Sequence, residues 1–178
     1  FVVTCGPLPS GAGAQFEPGS CALHFSADTC SALGLSSGMT ISDPHGLKVL
    51  LGSRKDPRNA WEICTAVHEV THGEDNQAGG WERGCTTEIN AFRASAECLK
   101  SFYDRFCSDC RSPSYPGAST CALIAASVRQ HEAGFAFNTC ICVGPVASPP
   151  TCTACTNACK ASGAGQDTCS LLARLYCE

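Results

Sequence analysis

The chain of 178 residues is poor in charge: only 16% of its side chains are Asp, Glu, Lys or Arg, and its net charge is −4. Without a basic surface, the sequence argues against nucleic acid or an anionic membrane as its main partner. No apolar run approaches the roughly 20 residues that a membrane-spanning helix needs. The hydrophobic content of 44% is enough for a packed core, so the composition predicts one folded domain with at most a small appended module.

Several catalytic and metal-binding patterns are also missing from the sequence. It has no serine-histidine-aspartate set and no glycine-rich phosphate loop. The C-x₂-C pairs at 107–110 and 152–155 are not followed by a second pair at zinc-finger spacing, which argues against a multi-zinc cysteine protein.

Cysteine, by contrast, is abundant: there are sixteen, an even number, scattered along the chain. Such density in a short chain predicts a disulfide framework that forms in an oxidising compartment. Because the chain begins with Phe1 rather than methionine, we expect that a signal peptide has been removed and that the protein is secreted.

The pattern of apolar residues predicts a mainly α (α+β) fold with a short N-terminal β element. Residues 47–51, bounded by Asp43-Pro44 and Gly52-Ser53, are predicted to form a strand that either serves as the edge for a peptide substrate or only covers the core. A helix is predicted from Pro57, with Asp56 as its N-cap, to a stop at Gly73. A polar loop is expected over 74–84.

Two helices are predicted between the polar loop and Gly134, separated by a loop over 111–119. A helix that starts near Thr86 or Thr87 has the clearest apolar stripe, and another is expected over 121–131, followed by extended chain over 135–143. We divide the chain into a zincin-like domain, 1–146, and a disulfide-stapled helical hairpin, 151–178, joined by a linker at 146–150. The stripe of the first helix comprises Ile89, Phe92, Ala96, Leu99, Tyr103 and Phe106.

The stretch His68-Glu69-Val70-Thr71-His72 has the spacing of a zinc-peptidase motif. Residues four apart lie on one face of an α-helix, so His68 and His72 can bind one Zn²⁺ together. Glu69 would lie beside the metal as the general base for a zinc-activated water. The surrounding helix is apolar nearly all round, and two histidines and a glutamate would be costly to bury there without a cation.

A catalytic zinc site needs a third protein ligand, and Glu88 is our main candidate. The metzincin pattern is excluded because Asp75 and Ala78 occupy the positions of its glycine and histidine, and because the only methionine, Met39, lies upstream. Glu88 opens the next inward-packing helix after a loop long enough to reverse direction. His131 is the alternative ligand, and an exposed Glu88 at a helix N-terminus is the alternative structure.

The segment Cys85-Thr86-Thr87-Glu88-Ile89-Asn90-Ala91 resembles part of the mitochondrial ATP23-type peptidases, in which a His-Glu-x-x-His helix and a loop are followed by a Cys-Ser-Glu-Ile-x-Ala helix. The resemblance covers about residues 61–98. It implies a gluzincin-like zinc peptidase with His68 and His72 as ligands, Glu69 as general base and Glu88 as third ligand.

From these patterns we expect a secreted zinc endopeptidase that acts on a protein or peptide substrate. His131, Tyr103 and Tyr115 are each a possible donor to the oxyanion of the reaction, and the sequence does not choose among them. The alternative is a disulfide-rich extracellular structural or assembly protein that retains the zinc site without turnover. The oligomeric state and the disulfide pairing do not follow from the sequence.

Overall fold

The computed structural model describes residues 1–8, 13–54, 56–79, 85–143, 152–161, 163 and 165–177. The fold is mainly helical, with a small sheet at the N-terminus, as the sequence predicts. No helix among these residues is long and apolar enough to cross a membrane. The predicted linker at 146–150 lies outside the described residues.

The N-terminal β element is a three-stranded sheet in the order β1-β3-β2. Strand β3 is central; it pairs in parallel with β1 and antiparallel with β2. Strand β2 is therefore an edge strand, and it lies next to helix α3. The strands are β1 (Val2–Cys5), β2 (Ala14–Glu17) and β3 (Ala22–Phe25).

Seven α-helices are described. Helix α4 packs extensively against both α3 and α5, whereas α3 and α5 contact each other little. Helix α4 thus lies between α3 and α5. The helices are α1 (Ala27–Leu33), α2 (Pro44–Gly52), α3 (Ala60–Gln77), α4 (Cys85–Phe106), α5 (Ala118–Val143), α6 (Cys152–Ala161) and α7 (Gln166–Cys177).

The predicted strand at 47–51 is wrong, because this segment belongs to helix α2. Asp43-Pro44, taken as a strand boundary, instead occupies the N-cap and first position of the helix, where proline is well tolerated. Leu47 and Leu51, four residues apart, are buried, while Leu50 is half exposed. The apolar run has the helical period, and a five-residue window is too short to distinguish it from a strand.

Two glycines that were predicted to end helices lie inside them. Helix α3 continues past Gly73 to Gln77. It therefore includes Glu74 and Asp75, which were predicted to lie in a loop. Their side chains bind Lys48 of α2 and Asn90 of α4. Helix α5 continues past Gly134 to Val143, so the extended chain predicted over 135–143 is wrong. A Cβ on Gly134 would lie 2.4 Å from the ring of Phe92; the glycine permits close helix packing and does not end the helix.

Asp56 accepts a hydrogen bond from the backbone N–H of Arg58 (3.0 Å) and caps a 3₁₀ turn, Pro57–Asn59, that leads into α3. The start signal was therefore predicted correctly, although the α-helix itself begins at Ala60.

Disulfides connect most of these elements, and twelve described cysteines are bonded in this way. Among the described residues Cys21 and Cys110 are free and exposed, whereas the cysteine density predicts that all or nearly all cysteines are paired. The fully described pairs are Cys5–Cys30, Cys64–Cys98, Cys107–Cys121, Cys140–Cys155 and Cys159–Cys169.

The predicted C-terminal hairpin is present as α6 and α7, stapled by Cys159–Cys169 and joined to α5 by Cys140–Cys155. It has a separate hydrophobic cluster, which includes Phe137 of α5 and Leu172 of α7 and against which Phe92 of α4 packs. The hairpin thus packs mainly against α5.

Candidate metal centre

The three predicted ligands lie together where α3 faces the start of α4. The Nε2 atom of His68 is 3.7 Å from one carboxylate oxygen of Glu88, and the Nε2 atom of His72 is 3.6 Å from the other. Each of the three residues offers a ligand atom within 4.8 Å of the other two. The exposed fraction of the side chain is 12% for His68, 5% for His72 and 26% for Glu88.

The donor set and its spacing fit Zn²⁺. Two imidazole nitrogens and one carboxylate are a known catalytic zinc set, and metal–ligand bonds of 2.0–2.2 Å in a tetrahedron place ligand atoms about 3.3 to 3.5 Å apart. The observed separations of 3.6 and 3.7 Å are close to these values. Three protein ligands leave the fourth tetrahedral position for a water or a substrate oxygen.

The pKa values of the two histidines are shifted in opposite directions. Burial lowers the pKa of His72 to about 4, so its ring is neutral at pH 7 and offers a lone pair, as a metal ligand must. Burial also opposes a charge on His68, but the hydrogen bond that its ring donates to Glu88 and the charges of Glu69 and Glu88 outweigh it and raise the pKa of His68. The site thus favours a positive charge between His68 and Glu88.

Glu69, the predicted base, follows His68 on α3 and interacts electrostatically with His68 and Glu88. Its carboxylate accepts a hydrogen bond from the backbone N–H of Phe16 (2.7 Å) on edge strand β2. Burial raises the pKa of Glu69, and the nearby His68 and the Phe16 bond act in the opposite direction. A carboxylate with a raised pKa is a better proton acceptor near neutral pH.

Phe92, four residues after Glu88 on α4, orients His68. The two ring centroids are 4.7 Å apart, edge to face. The other side of Phe92 contacts α5, where His131 is 5.9 Å away by ring centroid and Gly134 leaves the space that the Phe92 ring fills. In the sequence, Phe92 is recognisable only as a member of the apolar stripe; its spacing of four from Glu88 was the available sign of a role at the site.

His131, the alternative ligand, is not part of the ligand cluster. It is buried on α5, with its ring centroid 6.3 Å from that of His68. Its Nδ1 atom is 2.6 Å from the hydroxyl of Ser95 on α4, a contact that the sequence did not indicate. Burial lowers the pKa of His131 to about 3, so the ring is neutral.

Of the three oxyanion candidates, only His131 lies near the ligands. Tyr103 follows Glu88 by fifteen residues on the same helix, which is about 22 Å along the axis, and it is 37% exposed. Tyr115 lies in the connection beyond the far end of α4. Neither tyrosine therefore reaches the site from this position.

Two acidic residues after the motif fix α3 to its neighbours. Glu74 binds Lys48 of α2 (2.7 Å) and is 3.0 Å from His45. The carboxylate of Asp75 accepts hydrogen bonds from the amide of Asn90 on α4 (3.2 and 3.3 Å). The Asp75–Asn90 contact holds the two ligand-bearing helices together beside the site.

Comparison with protein-family models, with curated proteins and with solved structures finds no match for this chain.

Proposed function

We propose that this chain is a secreted, zinc-dependent endopeptidase of gluzincin-like type. The observation that carries the proposal is the convergence of His68 and His72 of α3 on Glu88 of α4, with Glu69 between the two histidines in sequence. The disulfide framework supports an oxidising, extracellular location.

Zn²⁺ bound by His68, His72 and Glu88 would polarise the scissile carbonyl group and activate the attacking water. Glu69 would take a proton from the attacking water and pass it to the leaving amine. The N–H of Phe16 fixes the direction of the Glu69 carboxylate. His131, held by Ser95, is the described side chain best placed to donate to the oxyanion.

The edge strand β2 supplies a surface for an extended peptide. Phe16 directs its N–H at Glu69, away from β3, so the unpaired side of β2 faces the catalytic helix. The backbone N–H and C=O groups of every second residue in a strand point to the same side. Those of Ala14, two residues before Phe16, therefore also point away from β3. A substrate strand bound at Ala14 by β-augmentation would pass the general base. The sequence offered residues 47–51 for this role as one of two alternatives.

The disulfide content favours a second candidate, an extracellular structural or assembly protein that keeps the zinc site without turnover. Its stapled C-terminal hairpin supplies none of the described ligand atoms. The two candidates differ in whether the intact site hydrolyses peptide bonds.

The test is cleavage of an unfolded protein, such as reduced and alkylated casein, by the purified chain. We expect hydrolysis that a chelator abolishes and Zn²⁺ restores. Glu69→Gln should reduce the rate at least about 100-fold, the usual lower bound for a general base, while zinc stays bound because Glu69 is not a ligand. Glu97→Gln, at an exposed position of α4, is the matched control and should keep full activity.

Full activity in Glu69→Gln, with contamination excluded, would contradict the mechanism. A wild-type chain that binds zinc and cleaves nothing would instead favour the structural candidate.

A further inference from the structure

A groove of about 280 Å³ lies between the beginning of α3 and the beginning of α5. Trp61 and Glu62 of α3 form one wall, and Leu123 and Ile124 of α5 form the other. Leu123 is 70% exposed and Trp61 is 37% exposed. Both are large apolar side chains that are exposed to solvent, and neither belongs to the candidate metal centre.

The groove lies on the stripe of α3 that also carries Glu69. Glu62, Thr65 and Glu69 are three and four residues apart, so they lie along one stripe of the helix. Glu62 precedes Glu69 by seven residues, about 10 Å along the axis. An extended peptide covers that distance with about three residues.

Strand β2 follows the same stretch of α3. At its start, Gly13 is so close to Trp61 that a Cβ would lie 2.5 Å from the indole ring. At its other end, Phe16 binds Glu69. A peptide bound along the β2 edge would therefore pass both Glu69 and the groove.

Glu62 gives the groove an unbalanced negative charge. Arg58 also lines the groove, but Asp56 binds its guanidinium twice, at 3.0 and 2.7 Å, and neutralises it. The Oε2 atom of Glu62 is covered and has no hydrogen-bond partner among the described residues, and the same is true of the Thr65 hydroxyl. Because Glu62 lines the groove and is only partly buried, a cationic group bound there would offset its charge.

We propose that this groove is a substrate subsite for a lysine or arginine side chain, about three residues from the scissile bond. The proposal rests on the peptidase function proposed above. The alkyl part of the basic side chain packs between Trp61 and Leu123, with its charge near the indole ring, and its cationic head pairs with Glu62. A neutral side chain of the same length gains only the apolar contact.

The test measures peptide binding separately from turnover. A series of fluorescent peptides carries one lysine at successive positions of an otherwise neutral sequence, with norleucine peptides as controls. Binding is measured with the Glu69→Gln protein, and kcat/KM with the wild type. We expect lysine at one position, about three residues from the cut, to improve both quantities about tenfold, which corresponds to one charge-assisted hydrogen bond.

Adding Glu62→Gln should abolish the lysine preference and leave the norleucine peptides unaffected, whereas adding Glu97→Gln should change neither. Leu123→Ser, at an exposed position that does not endanger folding, should weaken binding of lysine and norleucine peptides alike.

Equal binding of lysine and norleucine peptides, or a preference that survives Glu62→Gln, would overturn the subsite. Lysine-selective binding that depends on Glu62 without any cleavage by the wild type would support the subsite and overturn the peptidase function. The two proposals therefore fail in different ways.

Discussion

At the scale of single residues, the geometry of His68 depends on a chain of contacts that crosses three helices. His68 of α3 packs on the edge of Phe92 of α4, and Phe92 fills the space that Gly134 of α5 leaves open. A metal ligand is useful only when its ring direction is fixed. The absence of a side chain at Gly134 is therefore part of the site.

Gly134→Ala should displace Phe92, because the new Cβ would lie 2.4 Å from its ring. We expect the free energy of unfolding to fall by about 1–3 kcal/mol, as for other overpacked cores. Zinc affinity should fall about tenfold, the smaller of the effects known for residues that support ligands. Denaturant unfolding and a competitive zinc titration measure the two quantities.

Gly52→Ala is the matched control, since a Cβ at Gly52 would meet no atom within 4 Å; stability and zinc affinity should not fall. If Gly134→Ala binds zinc as tightly as the wild type, Phe92 does not position His68.

At the scale of elements, the ligands are carried by two helices that a disulfide fastens together. Cys64 lies four residues before His68 on α3 and is bonded to Cys98, ten residues after Glu88 on α4. Both helices pack into the main hydrophobic cluster around this disulfide. The Cys159–Cys169 disulfide, in contrast, fastens only α6 to α7.

Removing each disulfide by a double Cys→Ser substitution should separate stability from zinc binding. The loop-entropy relation gives about 4 kcal/mol for the loop closed by Cys64–Cys98 and about 3 kcal/mol for the shorter one closed by Cys159–Cys169. Only loss of Cys64–Cys98 should also weaken zinc binding in the folded protein. Unfolding curves with and without zinc test this, and equal losses of zinc affinity in both variants would contradict it.

The sequence predicted best the elements that have a long apolar stripe or a regular spacing of cysteines. The apolar stripe of α4 extends over about five turns, and Leu99 and Phe106 within it are buried; the cysteine spacing similarly indicated the C-terminal hairpin. The errors lie in short segments and at glycines. Residues 47–51 were too few to show a helical period, and the role of Gly134 depends on Phe92, a partner that is distant in sequence.

At the scale of the whole molecule, the candidate ligands were predicted from two kinds of pattern. His68 and His72 were predicted from their spacing of four residues, and Glu88 was predicted from its place at the start of the next inward-packing helix. The contact between Phe16 and Glu69 could not be predicted, because it joins an edge strand to a helix 53 residues later. The free Cys21 and Cys110 were missed for a similar reason, since an even cysteine count says nothing about which residues approach one another.

Metal content tests the central claim, that His68, His72 and Glu88 form one zinc site, most directly. The wild-type chain, purified without added metal and analysed by atomic emission, should contain one zinc ion per chain. Glu88→Ala should lose most of it while the disulfide-bonded fold, followed by circular dichroism, is retained. Glu97→Ala, an exposed glutamate on the same helix, should keep the full content. A wild-type chain without stoichiometric zinc, or a Glu88→Ala chain that binds zinc as tightly as the wild type, would contradict the account.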